Sequence, residues 1–166
     1  MRIKYLLESL ILLEKDDTKL GNRAKPQGSL QHTYSSAKNI MYPFGHIDLR
    51  ARDLDAAYRF YSRILPELGF RNEWRGEGAF SFQAEGNFPK LSWFGVIEDH
   101  NHVPNTTRLA FAVESCEEVD RLAEIVRAAG AINIEGPEDM PYTRIYCAVY
   151  FEDPSGNRLE IYYCEK

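Results

Sequence analysis

The sequence predicts an α+β fold. Two βαβββ units form a curled mixed sheet around a central cavity, with the helices on the outside. Three observations carry this prediction. First, Gly45-His46-Ile47-Asp48-Leu49-Arg50-Ala51-Arg52-Asp53 and Thr107-Arg108-Leu109-Ala110-Phe111-Ala112-Val113-Glu114-Ser115 are matching alternating runs, sixty-two residues apart. Second, each run ends on a residue able to cap a helix, and an amphipathic stretch follows in both copies. Third, ten Tyr, nine Phe and two Trp favour strands and can also line a ligand cavity. A duplicated strand–helix unit implies an internal pseudo-twofold relation, which makes position 108 the counterpart of position 46.

The elements follow in order. Phe44 to Arg50 alternates with period two, with Ile47 and Leu49 on one face and His46, Asp48 and Arg50 on the other. Asp53 caps a helix striped by Leu54, Ala57, Tyr58, Tyr61, Leu65 and Leu68, and Pro66 and Gly69 mark its end. Strands are expected near 70–75, 79–84 and 90–97, turned by Gly76 and Gly78 and then by Gly86-Asn87. Thr107 to Val113 opens the second copy. Ser115-Cys116-Glu117-Glu118 reads as a capping box. Val119, Leu122, Ala123, Val126 and Ala129 form the helical stripe, which Gly130 stops. A short strand near 131–134 then leads into a loop containing Pro137 and Pro141. Arg144 to Phe151 and Arg158 to Tyr163 are the last two strands, joined by the turn Asp153-Pro154-Ser155-Gly156-Asn157.

At 166 residues the chain holds one domain with a leader. Residues 1–40 carry seven Lys/Arg against four Asp/Glu, whereas the whole chain has a net charge of −5. Leu6, Leu7, Leu10, Ile11 and Leu13 stripe a short helix there, and the rest is polar and linker-like. Glu8 interrupts the apolar run and no small-residue cleavage site follows, which argues against a secretory signal. The folded domain is expected over 41–166, with units at about 43–98 and 106–164 and a dispensable leader. The acidic balance excludes a general nucleic-acid binder. No window reaches the roughly 18 apolar residues of a membrane span. Cys116, Cys147 and Cys164 are odd in number and lack paired spacing, which predicts reduced thiols in a cytoplasm.

Two βαβββ units, a first strand of the form G-H-I-x-L and an ending D-P-x-G-N-x-x-E-I resemble the vicinal oxygen chelate superfamily of glyoxalase, bleomycin-resistance and extradiol-dioxygenase proteins. The resemblance covers about 41–164. It implies a small-molecule ligand and a homodimer. It also implies a metal site built from the first and fourth strands of each unit, typically with a His on each first strand and a carboxylate on one or both fourth strands. Carried over one residue at a time, these positions are His46, Ser92, Arg108 and Glu160. Ser92 is reached by setting Lys90-Leu91-Ser92-Trp93 against Arg158-Leu159-Glu160-Ile161. By alternation, His46, Arg108 and Glu160 all point away from the large aliphatic residues and into the cup.

Arginine cannot ligate a metal, because it stays protonated and has no free lone pair. At about 4 Å two unit charges interact by roughly 4 kcal/mol at an effective dielectric of 20, and repulsion from a divalent ion is about twice that. The same cation beside Glu160 forms an attractive pair. The favoured reading is therefore a small-molecule-binding protein, or a metal-independent glyoxalase-like enzyme, with an incomplete metal site. Arg108 anchors a polar or anionic ligand, His46 and Glu160 are its acid–base neighbours, and Ser92, Tyr146, Tyr150 and Tyr162 are ligand-contacting candidates. No cofactor is favoured. The alternatives are a lyase, isomerase or dioxygenase whose divalent metal is held by His46 and Glu160, and a drug-sequestering resistance protein without turnover. His100 and His102 form an H-x-H pair in a polar loop and read as solvated linker. Cys147 lacks a His partner for nucleophilic catalysis.

Overall fold

The duplicated pattern folds as two units of the same build. The computed structural model describes residues 44–84, 92–139 and 145–165. The expectations for the leader, the Gly86-Asn87 turn, Pro141 and Arg144 lie outside them. Unit one comprises β1 (His46–Ala51), α1 (Leu54–Ile64), β2 (Phe70–Gly76), β3 (Ala79–Ala84) and β4 (Trp93–Glu98). Unit two comprises β5 (Arg108–Ala112), α2 (Cys116–Ala129), β6 (Ile132–Asp139), β7 (Tyr146–Glu152) and β8 (Arg158–Cys164). Each unit forms an open four-stranded sheet of its own, ordered β1-β4-β3-β2 and β5-β8-β7-β6. In both, the first strand runs parallel to the fourth and the remaining pairs are antiparallel.

Local chemistry sets the helix limits. The Asp53 carboxylate accepts the Ala56 N–H at 2.9 Å, and the Ser115 hydroxyl accepts the Glu118 N–H at 3.2 Å, so each satisfies an orphan donor of a first turn. Gly69 and Gly130 leave their helical turns with φ of 89° and 96°, where a β-carbon would be strained. The buried stripe of α2 is Val119, Leu122, Ala123 and Val126, as expected. That of α1 is wider than expected, since the expected Leu54, Tyr58, Leu65 and Leu68 all lie in the core or against it. Phe60 and Ile64 are buried beside Ala57 and Tyr61, while Tyr58 sits at the margin and donates to Glu73. Three aromatic rings within one turn, Tyr58, Phe60 and Tyr61, make the buried stripe broader than the helical period alone indicates.

Both helices cover one face of their sheets, and a single core joins the units. Tyr61 of α1 packs on Phe94 and Phe80, Phe60 meets Phe151, and Phe111 of β5 reaches Phe94 and Phe70. The opposite, helix-free faces carry the polar residues of the first strands.

A buried carboxylate ties the two units together. Asp153, fully buried at the β7–β8 turn, accepts the Tyr61 hydroxyl at 2.8 Å, the backbone N–H of Ser155 and Asn157, and the Asn157 side-chain amide. That amide also donates to the Arg50 carbonyl, and Ser155 Oγ accepts the Arg52 N–H. The expected tight turn is thus also the anchor of β1 and α1.

Two expectations are corrected. The second strand of unit two, β6, does not stop at 134. It runs through Pro137 to Asp139, with register shifts against β7, because an edge strand tolerates a residue without a backbone donor. Cys116 and Cys147, expected as free thiols, are joined in a disulfide, with Cα atoms 5.5 Å apart, and Cys164 is free. Linear spacing could not show this, since the fold brings the first turn of α2 onto β7. Among the described residues no helix is long and apolar enough to cross a membrane.

Two outcomes follow. Asp153→Ala strands the buried Tyr61 hydroxyl and two backbone donors, and urea unfolding should show a loss of about 3 kcal/mol or more. Alkylation of the unfolded chain without reductant should modify one of the three cysteines, and all three after reduction.

Candidate functional site

On the helix-free face of unit two, strand register gathers the polar residues. Arg108 lies opposite Arg158, Ala110 opposite Glu160, Tyr150 opposite Glu160 from the other side, and Ala148 opposite Tyr162. Side chains at paired positions share a face. Arg108, Glu160, Tyr146, Tyr150 and Tyr162 therefore form one cluster.

Its geometry is specific. The Tyr146 hydroxyl donates to Glu160 Oε1 at 2.5 Å. Arg108 Nη1 stands 3.7 Å from Glu160 Oε2, beyond hydrogen-bond length, and the guanidinium lies over the Tyr150 ring at 4.5 Å. Tyr146 and Tyr162 stack with ring centres 5.6 Å apart. The Glu160 side chain is 9% exposed and that of Arg108 is 47% exposed. The carboxylate is thus held inside, while the cation reaches the surface of the cluster with its donors unspent on Glu160. Burial of the Tyr146 phenol, followed by its bond to the Glu160 carboxylate, raises its pKa above the ordinary tyrosine value.

Unit one is built differently. His46, exposed on β1, lies opposite Trp93, with Nε2 3.7 Å from Asp48 Oδ2. Ser92 lies just before β4, and its hydroxyl donates to the Phe44 carbonyl at 3.4 Å. It does not hold the position equivalent to Glu160. The β1–β4 register sets Asp48 against Gly95, as the β5–β8 register sets Ala110 against Glu160, so Gly95 is the counterpart of Glu160. The expected match slipped by three residues because Lys90-Leu91-Ser92-Trp93 and Arg158-Leu159-Glu160-Ile161 share an alternating pattern but not a strand start. The residue missed was Asp48, whose signal was its place two residues after His46 on the same face.

The structure therefore collects Arg108, Glu160 and the three tyrosines on one sheet, while His46 pairs with Asp48 on the other. Among the described residues no three His, Cys, Asp or Glu side chains converge as a metal site requires. The position that would supply an imidazole holds a guanidinium. These residues do not fit a catalytic divalent ion. His100 and His102 form no such group either. His100 Nδ1 contacts the Arg52 carbonyl, and His102 Nε2 is buried without a hydrogen-bond partner.

Paired βαβββ units, each with its first strand parallel to its fourth, define the class of fold. The family model for the Glyoxalase/Bleomycin resistance protein/Dioxygenase superfamily matches residues 44–161, and the chain belongs to that superfamily. Solved structures agree on the fold. A glyoxalase/bleomycin resistance protein from Albidiferax ferrireducens superposes with a TM-score of 0.58 at 22% identity, over 72% of this chain and 97% of that one. A glyoxalase-related enzyme from Fulvimarina pelagi gives 0.56 at 25% identity, over 72% and 86%. The fosfomycin resistance protein FosX from Mesorhizobium loti gives 0.54 at 19%, over 72% and 90%. No curated protein matches the chain in sequence.

The phenols predict an alkaline limit to stability. Burial, then the Asp153 carboxylate, raises the pKa of Tyr61 well above its usual value, and Tyr146 is raised as described. A raised folded-state value favours the protonated hydroxyl, so this stability is complete below the unfolded value of about 10 and is lost as pH rises above it. The melting temperature should hold steady up to about pH 10 and then fall, with a shallower fall in Tyr146→Phe.

Proposed function

We propose that this chain binds a small polar or anionic molecule on the helix-free face of unit two, with Arg108 as the anchor and without a metal. The single observation that carries this reading is the placement of the Arg108 guanidinium. It is oriented by Tyr150, balanced in charge by Glu160 at 3.7 Å, and half exposed with its donor fork available. A ligand carboxylate or phosphate accepts two parallel N–H bonds from such a fork. Tyr146 and Tyr162 supply stacked ring surface beside it. Glu160, which already holds the Tyr146 proton donor, is the group positioned to exchange a proton with a bound molecule. His46 belongs to this reading as an exposed imidazole on the other sheet. The homodimer implied by the family resemblance is part of the same proposal.

Benzoate and phenylphosphonate titrated calorimetrically against the full chain test the anchor. Saturable binding that weakens at least about tenfold in Arg108→Gln is the expected result. Elemental analysis of the purified protein should find no stoichiometric zinc, nickel, manganese or iron. A stoichiometric metal that disappears in His46→Ala or Glu160→Gln would replace this reading with a metal-dependent one.

A further inference from the structure

The two units place a carboxylate at the same point of their helix-free faces by different routes. In unit two it comes from the fourth strand, as Glu160, across from the small Ala110 on the first strand. In unit one the roles are exchanged. The fourth strand has Gly95 and the first strand has Asp48, whose Oδ1 lies so close to Gly95 that a β-carbon there would collide with it. The acid and the small residue have traded strands while the charge has kept its place.

The partners of the two carboxylates differ. Glu160 receives the Tyr146 hydroxyl and faces the Arg108 guanidinium. Asp48 has only the His46 ring, at 3.7 Å, among the described residues, and its side chain is 23% exposed. Ser81, paired with Gly95, stands where unit two has Tyr150, so no phenol ring rises beside Asp48 at that position. Arg50 follows on the same face, but its guanidinium donates to the Leu49 carbonyl and not to Asp48. A half-buried carboxylate with unused lone pairs calls for a donor. One strand over and one row along, Trp93 lies opposite His46 on the same face and brings an indole ring.

From this we infer a second binding site, on unit one, that takes a protonated organic amine: Asp48 is the counter-ion and Trp93 the aromatic wall. An alkylammonium group supplies up to three N–H donors to a carboxylate and is attracted to the face of an indole. The site is opposite in sign to the Arg108 anchor and does not rest on that reading.

The test uses the full chain with benzylamine as probe, benzyl alcohol as the neutral control and tryptophan fluorescence as the readout. Benzylamine should change the fluorescence saturably at neutral pH, and benzyl alcohol should not. The isosteric variant Asp48→Asn should weaken the response at least about tenfold, and Trp93→Phe should weaken it several-fold with binding then followed by calorimetry. Arg108→Gln should leave it unchanged, and benzoate binding should show the converse pattern, so failure of one site is distinguishable from failure of the other. The proposal is overturned if wild-type protein shows no saturable benzylamine response, if Asp48→Asn binds like wild type, or if benzyl alcohol binds equally well.

Discussion

A buried carboxylate holds this fold in register. Asp153 is removed from water and compensated by a phenol, two backbone amides and a side-chain amide. Hydrogen bonds to a charged acceptor contribute about 1.5–3 kcal/mol each, and an unpaired buried carboxylate would cost more than any one of them gives. The arrangement therefore works as a set. It also spans the duplication, because Tyr61 belongs to the first unit and the turn to the second. The end of β1 and the last turn of α1 are fixed against the β7–β8 turn.

On that frame the duplicated strands have diverged where charge is concerned. The Arg108–Glu160–Tyr146 cluster is internally balanced, with the acid inside and the base at the surface. The His46–Asp48 pair has a cation only when the imidazole is protonated, and its carboxylate lacks a phenol donor. A guanidinium cannot titrate in the working range of a protein, so Glu160 faces a permanent positive charge, whereas Asp48 faces an imidazole. The same backbone register thus presents two surfaces of different electrostatic character.

Much of this was readable in the chain. The sixty-two-residue repeat gave the order of elements, because caps and hydrophobic periods are local properties: Asp53 and Ser115 act on amides three residues away. The cluster around Arg108 was legible for the same reason, since alternation along β5, β7 and β8 puts Arg108, Glu160 and the tyrosines on one face. The failures were non-local. Ser92 was matched to Glu160 because the pairing of β4 with β1 depends on strand starts that alternation does not encode. The Cys116–Cys147 bond joins residues thirty-one positions apart through a helix that folds back onto its sheet.

By itself, then, the sequence determined the βαβββ duplication, the faces of the strands and the exchange of an imidazole for a guanidinium at position 108. The first two follow from local propensity and from the period of a strand, and the third from the repeat that sets Arg108 against His46 together with the family resemblance. Only the tertiary structure decided which residues from different strands became partners. It set Asp48 over Gly95, Tyr146 on Glu160 and Tyr61 on Asp153, because inter-strand register and helix packing are chosen by the whole core at once.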